Sequence, residues 1–323
     1  MDLTPAPFRN DLAEGPAGAA AFWVHADDGV RLRVAHYPSV GTSRGTILLF
    51  PGRTEYVEKY GRTAVDFSRA GYDILTIDWR GQGLADRLLG DANVGHVTYF
   101  IDYQRDVAAM ITAAGALNLP RRMHLIAHSM GGCIGLRAVM DGLPVASCVF
   151  TGPMWGIRIA PPIRPAAWAL GWGCGRIGLG HVYAPGTKPT SYVTSEPFKG
   201  NLLTSDAEMY AYMRGQLAAN PQLALGGPSM RWLHQALQEC RVLNRRPSPD
   251  LPCLTLVGTN ERIVDVPRIH DRMARWPQGT LEIVEGGEHE VLMEGPAIRA
   301  RVMPKILALL ETAPNKSHKA QSA

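Results

Sequence analysis

The chain has 323 residues, 46% of them hydrophobic and 19% charged, which is enough apolar side chain for a sizeable core and too little charge for a disordered chain. Its 33 Lys and Arg against 29 Asp and Glu leave a net charge of +4. That small, scattered excess gives no nucleic-acid footprint and leaves room only for a weak contact with an anionic membrane surface.

The length corresponds to about two domains, or to one large α/β domain carrying an insertion. Residues 1–19 are small, polar and Pro-containing and read as a flexible lead-in, with no apolar stretch that would make a secretory signal. Residues 22–25 and 30–36 are short extended runs split by Asp27-Asp28-Gly29, a hairpin signal. Residues 45–50 are a continuous apolar run ended by Pro51-Gly52, which predicts a central strand buried on both faces. Helical spacing follows over 56–70, with Gly71 as its stop, then a strand over 72–77 that leads into Asp78-Trp-Arg-Gly-Gln-Gly83. A helix is expected over 102–113, a strand over 123–127, a helix over 130–140 directly after it, and a strand over 145–151.

Past a long irregular stretch come strands over 254–257 and 281–284 and helices over 267–276 and 296–310. Alternating strand and helix predicts an α/β fold, a mostly parallel sheet with helices on both faces. Residues 20–152 and 236–312 form this core. The rhythm breaks over 153–235, a stretch with Trp155, Trp168, Trp172 and Trp232 and many Pro and Gly, read as a helical cap inserted at the sheet edge. Residues 313–323 read as a flexible end. No run approaches the roughly 20 apolar residues of a membrane span. The five Cys (133, 148, 174, 240, 253) are odd in number and form no CxxC pair, which predicts reduced thiols. The expected location is the cytoplasm, at most peripheral at the inner membrane.

The chemistry concentrates in Ala127-His-Ser129-Met-Gly131-Gly132, placed between an apolar strand and a helix. This resembles the nucleophile elbow G-x-S-x-G, with Ala127 for the first Gly. A turn that tight tolerates almost no side chain two residues either side of the Ser. It lifts the hydroxyl above the sheet edge at a helix N-terminus, where the dipole favours an oxyanion. The backbone N–H of Met130 is one expected oxyanion donor and that of Arg53, in the loop after residue 50, the other. The Arg53 side chain has two readings, an anion contact or a salt bridge with Glu55 or Glu58.

Ser129 needs a base. His181, His234, His270, His289 and His318 lie downstream; His289 follows the last strand in a glycine-containing loop that can swing over the elbow. For the acid, two carboxylates follow the strand ending at Gly258: Glu261, close to the sheet edge, and Asp265, which stands before the next helix and can serve it as a cap. The acid holds the imidazole tautomer and stabilises the imidazolium.

These residues, with Pro51-Gly-Arg-Thr-Glu55, Arg87-Leu-Leu, Gly95-His96-Val97, Pro153-Met154, Gly226-Gly-Pro228, Glu261-Arg-Ile-Val-Asp265 and His289-Glu290, resemble the lysophospholipase, monoacylglycerol lipase and serine aminopeptidase-like branch of the α/β-hydrolases. Within it they are most similar to bacterial lysophospholipases of the L-two type. The resemblance runs from about residue 46 to the closing helix. It implies an α/β-hydrolase fold and places the acid on Glu261, where many relatives carry Asp. The family's Asp-x-Arg-Gly-x-Gly-x-Ser pattern loses its Ser to Ala85, and Asp78 and Arg80 are expected to pin loops beside the site.

The implied function is a serine hydrolase of lipid esters that needs neither metal nor organic cofactor. Met154 and Trp155 are expected to line the acyl site, and the cap arginines Arg158, Arg164 and Arg176 to meet a phosphate. A peptidase of the aminopeptidase type is the alternative. It needs cap carboxylates for an ammonium, and the main ones are Glu196, Asp206 and Glu208. A non-catalytic binding protein is disfavoured by Ser, acid and His candidates standing in the hydrolase order. Oligomeric state is not legible.

Overall fold

Apolar β-branched and Leu-rich runs become central strands because both their faces can be buried. The computed structural model describes residues 3–314. In chain order its regular elements are β1 (Thr4–Ala6), α1 (Asn10–Ala13), β2 (Ala20–His25), β3 (Arg31–Tyr37), β4 (Gly45–Phe50), α2 (Gly61–Arg69), β5 (Tyr72–Asp78), α3 (Tyr103–Ala116), β6 (Met123–His128), α4 (Ser129–Met140) and β7 (Cys148–Thr151). Then come α5 (Arg164–Arg176), α6 (Tyr192–Ser195), α7 (Ala207–Ala219), α8 (Met230–Arg245), β8 (Cys253–Gly258), α9 (Val266–Met273), β9 (Gly279–Val284) and α10 (Pro296–Thr312). The strands form one sheet in the order β1-β2-β3-β5-β4-β6-β7-β8-β9. It is antiparallel from β1 to β5 and parallel from β5 through β9.

Every residue of β4, β5, β6, β7 and β8 is buried. Two apolar clusters occupy the two faces of the sheet, one around Leu48, Leu125 and Phe150 beneath α3 and α4, the other around Ile47, Ile126 and Leu256 beneath α2 and α10. Alternate residues of one strand thus feed opposite layers. Buried charge is paired: Arg33 binds Glu58 and Asp78 at 2.7 Å each, and Arg80 binds Asp106 and Asp28, also at 2.7 Å. Asp78 also accepts the Val57 and Leu84 amides at 2.8 Å, so it pins the loops after β4 and β5.

Three boundaries differ from the sequence reading. The lead-in is not loose: β1 pairs with β2, and the Arg33 guanidinium donates to the Pro7 carbonyl at 2.8 Å. The irregular excursion between β7 and β8 does not end at residue 235, because α8 runs unbroken to Arg245 on an amphipathic pattern that continues past it. At the other end, Ala313 is buried and its carbonyl accepts from Arg122 at 3.0 Å, while 315–323 lie outside the described residues. Among the described residues no helix is long and apolar enough to cross a membrane.

Candidate active site

β6 ends at His128 in extended backbone, and α4 begins at once with Ser129, whose φ of +50° lies in the left-handed region. A non-glycine residue held there stores strain, of order 1–3 kcal/mol, and the surroundings enforce it. A Cβ on Gly131 would lie 2.3 Å from the Phe50 carbonyl oxygen, and one on Gly132 2.7 Å from the Pro153 side chain. Helix propensity disfavours both glycines; the close approach of α4 to β4 and to the segment after β7 requires them.

The loop after β9 carries His289 back to this elbow. Its Nε2 lies 2.9 Å from Ser129 Oγ and its Nδ1 2.6 Å from Glu261 Oε2. The other Glu261 oxygen accepts the Ile263 amide at 2.6 Å and the Val264 amide at 3.1 Å. Burial pushes the Glu261 carboxyl up, but the His289 hydrogen bond, the imidazole charge and those two amides prevail, and the group sits below its usual range. Asp265 stands elsewhere: it occupies the first position before α9 without capping it, and its carboxylate faces Arg164 at 3.5 Å. Of the other downstream histidines, His234 stacks edge-on against Trp168 and His181 bonds the Gly178 carbonyl, both within the cap stretch.

Sequence reasoning missed a buried ionic cluster beneath these groups. Lys59 Nζ lies 2.7 Å from Glu55 and 2.6 Å from Glu290, the residue after His289. Glu55 also accepts from Tyr60 Oη at 2.5 Å and from the Gly52 amide. Lys59 therefore ties the loop after β4 to the loop bearing His289. Burial raises the Glu55 carboxyl, yet the Lys59 charge, with the hydrogen bonds from Lys59 and Tyr60, draws it down to about 2; Glu290 goes up because its burial outweighs its share of the same cation. His128 packs on His289 with ring centroids 4.7 Å apart, and its Nδ1 is 2.9 Å from the Thr151 carbonyl. Burial holds it down to about 3, so it is neutral. Glu55, His128 and Glu290 approach closely enough to suggest metal ligands, but the Lys59 ammonium already supplies their cation. The readable signal was the i, i+4 spacing of Glu55 and Lys59.

Met130 is the second residue of α4, where an amide has no acceptor within the helix. No protein acceptor takes the Arg53 amide among the described residues. The Arg53 side chain makes neither expected ion pair: Glu55 is held by Lys59, and Glu58 by Arg33. It donates instead to the Gly226 carbonyl at 2.8 Å.

Above Ser129 lies a cavity of about 750 Å³. Met154, Ile157, Ile163, Leu170, Leu217, Trp232 and Leu233 form much of its wall, together with Arg53, Lys59, Arg158 and His289. Met154 borders the cavity. Trp155, expected to do the same, does not: its indole donates to the Gly132 carbonyl at 3.1 Å and stacks near-parallel on Trp276, so it packs the floor under the elbow. Of the three cap arginines only Arg158 lines the cavity; Arg164 faces Asp265, and Arg176 lies over Trp172. Two of the three cap acids are also engaged elsewhere: Asp206 caps α7 and Glu208 pairs with Arg62 at 2.9 Å.

Residues 41–296 match the model of the family described as serine aminopeptidase, S33. Lysophospholipase L2 of Escherichia coli (strain K12) is 33% identical over 288 residues, covering 86% of this chain and 82% of that protein. Probable lysophospholipase L2 of Haemophilus influenzae is 30% identical over 265 residues, covering 81% and 82%. Among solved structures, a soluble variant of monoglyceride lipase from Saccharomyces cerevisiae superposes with a TM-score of 0.69 at 22% identity over 89% of this chain and 94% of that one. A carboxyl esterase from Bacillus coagulans does so with 0.72 at 14% identity over 91% and 98%. These structures share the α/β-hydrolase fold, and the family match together with the two sequence relatives shows that the chain belongs to the serine aminopeptidase, S33 family.

Proposed function

We propose that the protein hydrolyses carboxylic esters of lipids, as a lysophospholipase or monoacylglycerol lipase working through an acyl-enzyme on Ser129. The observation that carries this reading is the hydrogen-bonded line Ser129–His289–Glu261 at the base of an apolar cavity. Ser129 Oγ attacks the acyl carbonyl carbon as His289 Nε2 takes its proton. The carbonyl oxygen gains charge against the amides of Met130 and Arg53. The intermediate collapses, the C–O bond to glycerol breaks, and His289 returns the proton to the leaving oxygen. Water, deprotonated by the same ring, then releases the fatty acid and restores Ser129. Glu261 keeps Nδ1 protonated and stabilises the imidazolium.

The names of the sequence relatives favour a lysophospholipid, and the apolar wall suits one acyl chain. The family's own description raises a second reading, cleavage of an N-terminal residue. Its ammonium would need a free carboxylate, and the acids lining the cavity, Glu55 and Glu290, are both bound to Lys59. We also infer contact with a membrane surface through the cavity rim. There Ile163 and Leu170 line the cavity while staying more than half and half exposed, with exposed Trp172 beside Arg176 on the same helix.

The test is a panel of lysophosphatidylcholine, lysophosphatidylethanolamine, monoacylglycerol, short p-nitrophenyl esters and amino-acid anilides, each with a Ser129→Ala control. Acyl-ester turnover lost in the control supports the reading; turnover of anilides alone transfers it to the peptidase; acyl-ester turnover kept by Ser129→Ala rejects it.

A further inference from the structure

The buried arginines Arg33, Arg80 and Arg272 and the half-buried Arg87 and Arg137 have their charge or their N–H groups answered. Arg33, Arg80 and Arg137 each face a carboxylate. Arg87 and Arg272 do not, but each gives its N–H groups to several oxygens: Arg87 to the Gly81, Gly83 and Gln222 carbonyls, Arg272 to those of Leu243 and Arg246 and to Ser248 Oγ. Arg53, half-buried at the cavity, is answered less fully. Among the described residues its guanidinium has one protein acceptor, the Gly226 carbonyl, and no carboxylate within ion-pair distance. It lies over the Trp232 ring at 5.7 Å and borders the cavity above Ser129. Burial lowers it to about 10, which leaves it cationic at neutral pH and short of a counter-charge.

We propose that the Arg53 guanidinium is an anion subsite that takes the phosphate of a glycerophospholipid ester whose carbonyl oxygen sits at the backbone amide of the same residue. This rests on the reading of Ser129 as an acyl-ester nucleophile and names the head-group chemistry of that site. The reach agrees. As many bonds separate the ester carbonyl carbon from phosphorus in a 1-acyl glycerophospholipid as separate an arginine's amide nitrogen from its guanidinium carbon. One residue can therefore span the glycerol, with its amide at one end and its fork at the other. The phosphate oxygens would accept the N–H groups that Gly226 leaves over, in the bidentate geometry that suits guanidinium. Lys59, the other enclosed cation of the cavity, is bound by Glu55 and Glu290 and has no charge to spare. Glycine at 95 lets the arm pass: a Cβ there would lie 3.2 Å from Arg53 Nη1.

The experiment uses non-cleavable ether ligands on the full chain, read by calorimetry so that no turnover is needed. The probes are 1-O-alkylglycero-3-phosphocholine, the 1-O-alkylglycerol of equal chain length, and a fatty-acid anion, all below their micellar concentrations. Wild type should bind the phosphocholine ether about 10- to 100-fold more tightly than the neutral ether, the range of a charged hydrogen bond. Arg53→Met should remove that margin, and Arg53→Lys should restore part of it. Should Arg53→Met fail to fold, Arg53→Gln, which can still donate to Gly226, carries the same comparison. An equal margin in wild type and variant overturns the proposal, as does no margin in wild type. A variant that loses fatty-acid binding as much as phosphocholine binding overturns it in favour of a product-carboxylate site. In turnover, the ratio of kcat/KM for lysophosphatidylcholine over monoacylglycerol should fall similarly in Arg53→Met, a loss common to both esters cancelling. If wild type cleaves no acyl ester while the calorimetric margin stands, the hydrolase reading fails and the subsite survives.

Discussion

The floor and the roof of the cavity are built on opposite principles. On the floor, polar groups are enclosed and tied: Glu261 takes three donors, Glu55 takes Lys59, Tyr60 and Gly52, and Ser129 is held in a strained backbone. On the roof, α5 has one buried residue, Gly171, while Leu170 and Trp172 stand half exposed or more. A floor of this kind loses function when any one atom moves. A roof of this kind holds through summed apolar area and tolerates exchange. On the reading proposed above, reaction resides in a few fixed atoms and choice of acyl chain in a diffuse surface.

The largest expected break is on the floor. Ser129→Ala should lower kcat on any cleaved ester by at least about 10⁴-fold with the fold retained, measured by steady-state kinetics beside circular dichroism. Ser129→Gly should be as inactive yet more stable than wild type, by roughly 1 kcal/mol in denaturant unfolding, because glycine relieves the positive φ. Glu261→Gln should cost about 10³- to 10⁴-fold in kcat, whereas Asp265→Asn should stay within about tenfold. Equal losses would place the acid wrongly.

Acid titration gives a smaller contrast. Glu261 has a folded value below 4.5, so the stability it contributes is present above 4.5 and lost as pH falls through the folded value. His128 is held down from 6.5 to about 3. As pH drops below 6.5 the unfolded chain takes a proton that the folded one refuses, so stability falls from there toward pH 3. His128→Gln should flatten the fall of Tm over that window in a calorimetric pH series; an unchanged slope would remove His128 from the account. The smallest effects belong to the roof. Leu233→Ala should raise KM several-fold for long-chain esters and spare short ones, one pocket side chain being worth about 1–3 kcal/mol. Trp172→Ala should weaken sedimentation with anionic vesicles by a few-fold without altering turnover of dissolved p-nitrophenyl butyrate.

Much of the floor was legible because it is written in short, local signals. Small-x-Ser-x-Gly after an apolar strand, a His beyond the last strand and a Glu past Gly258 each follow from one turn, and the structure brings Ser129, His289 and Glu261 within hydrogen-bond distance. The Lys59 cluster was legible only in the i, i+4 spacing of Glu55 and Lys59, since Glu290 joins it from the far end of the chain. Trp155 was misread for a related reason: its segment borders the cavity through Met154, while alternation turns the next side chain down onto Trp276.

By itself the sequence determined the strand-and-helix rhythm and the elbow, because these depend on neighbours a few residues apart; the order of Ser, acid and His was read through the hydrolase pattern. Tertiary structure decided which charges are answered and which is left open. Whether an arginine meets a carboxylate or faces a cavity depends on segments from about 25 to about 100 residues distant, as for Arg33 with Glu58 and Arg137 with Glu239, and no local pattern encodes that meeting. Arg53, read as an anion contact or as a partner of Glu55 or Glu58, pairs with neither carboxylate because Lys59 and Arg33 hold them.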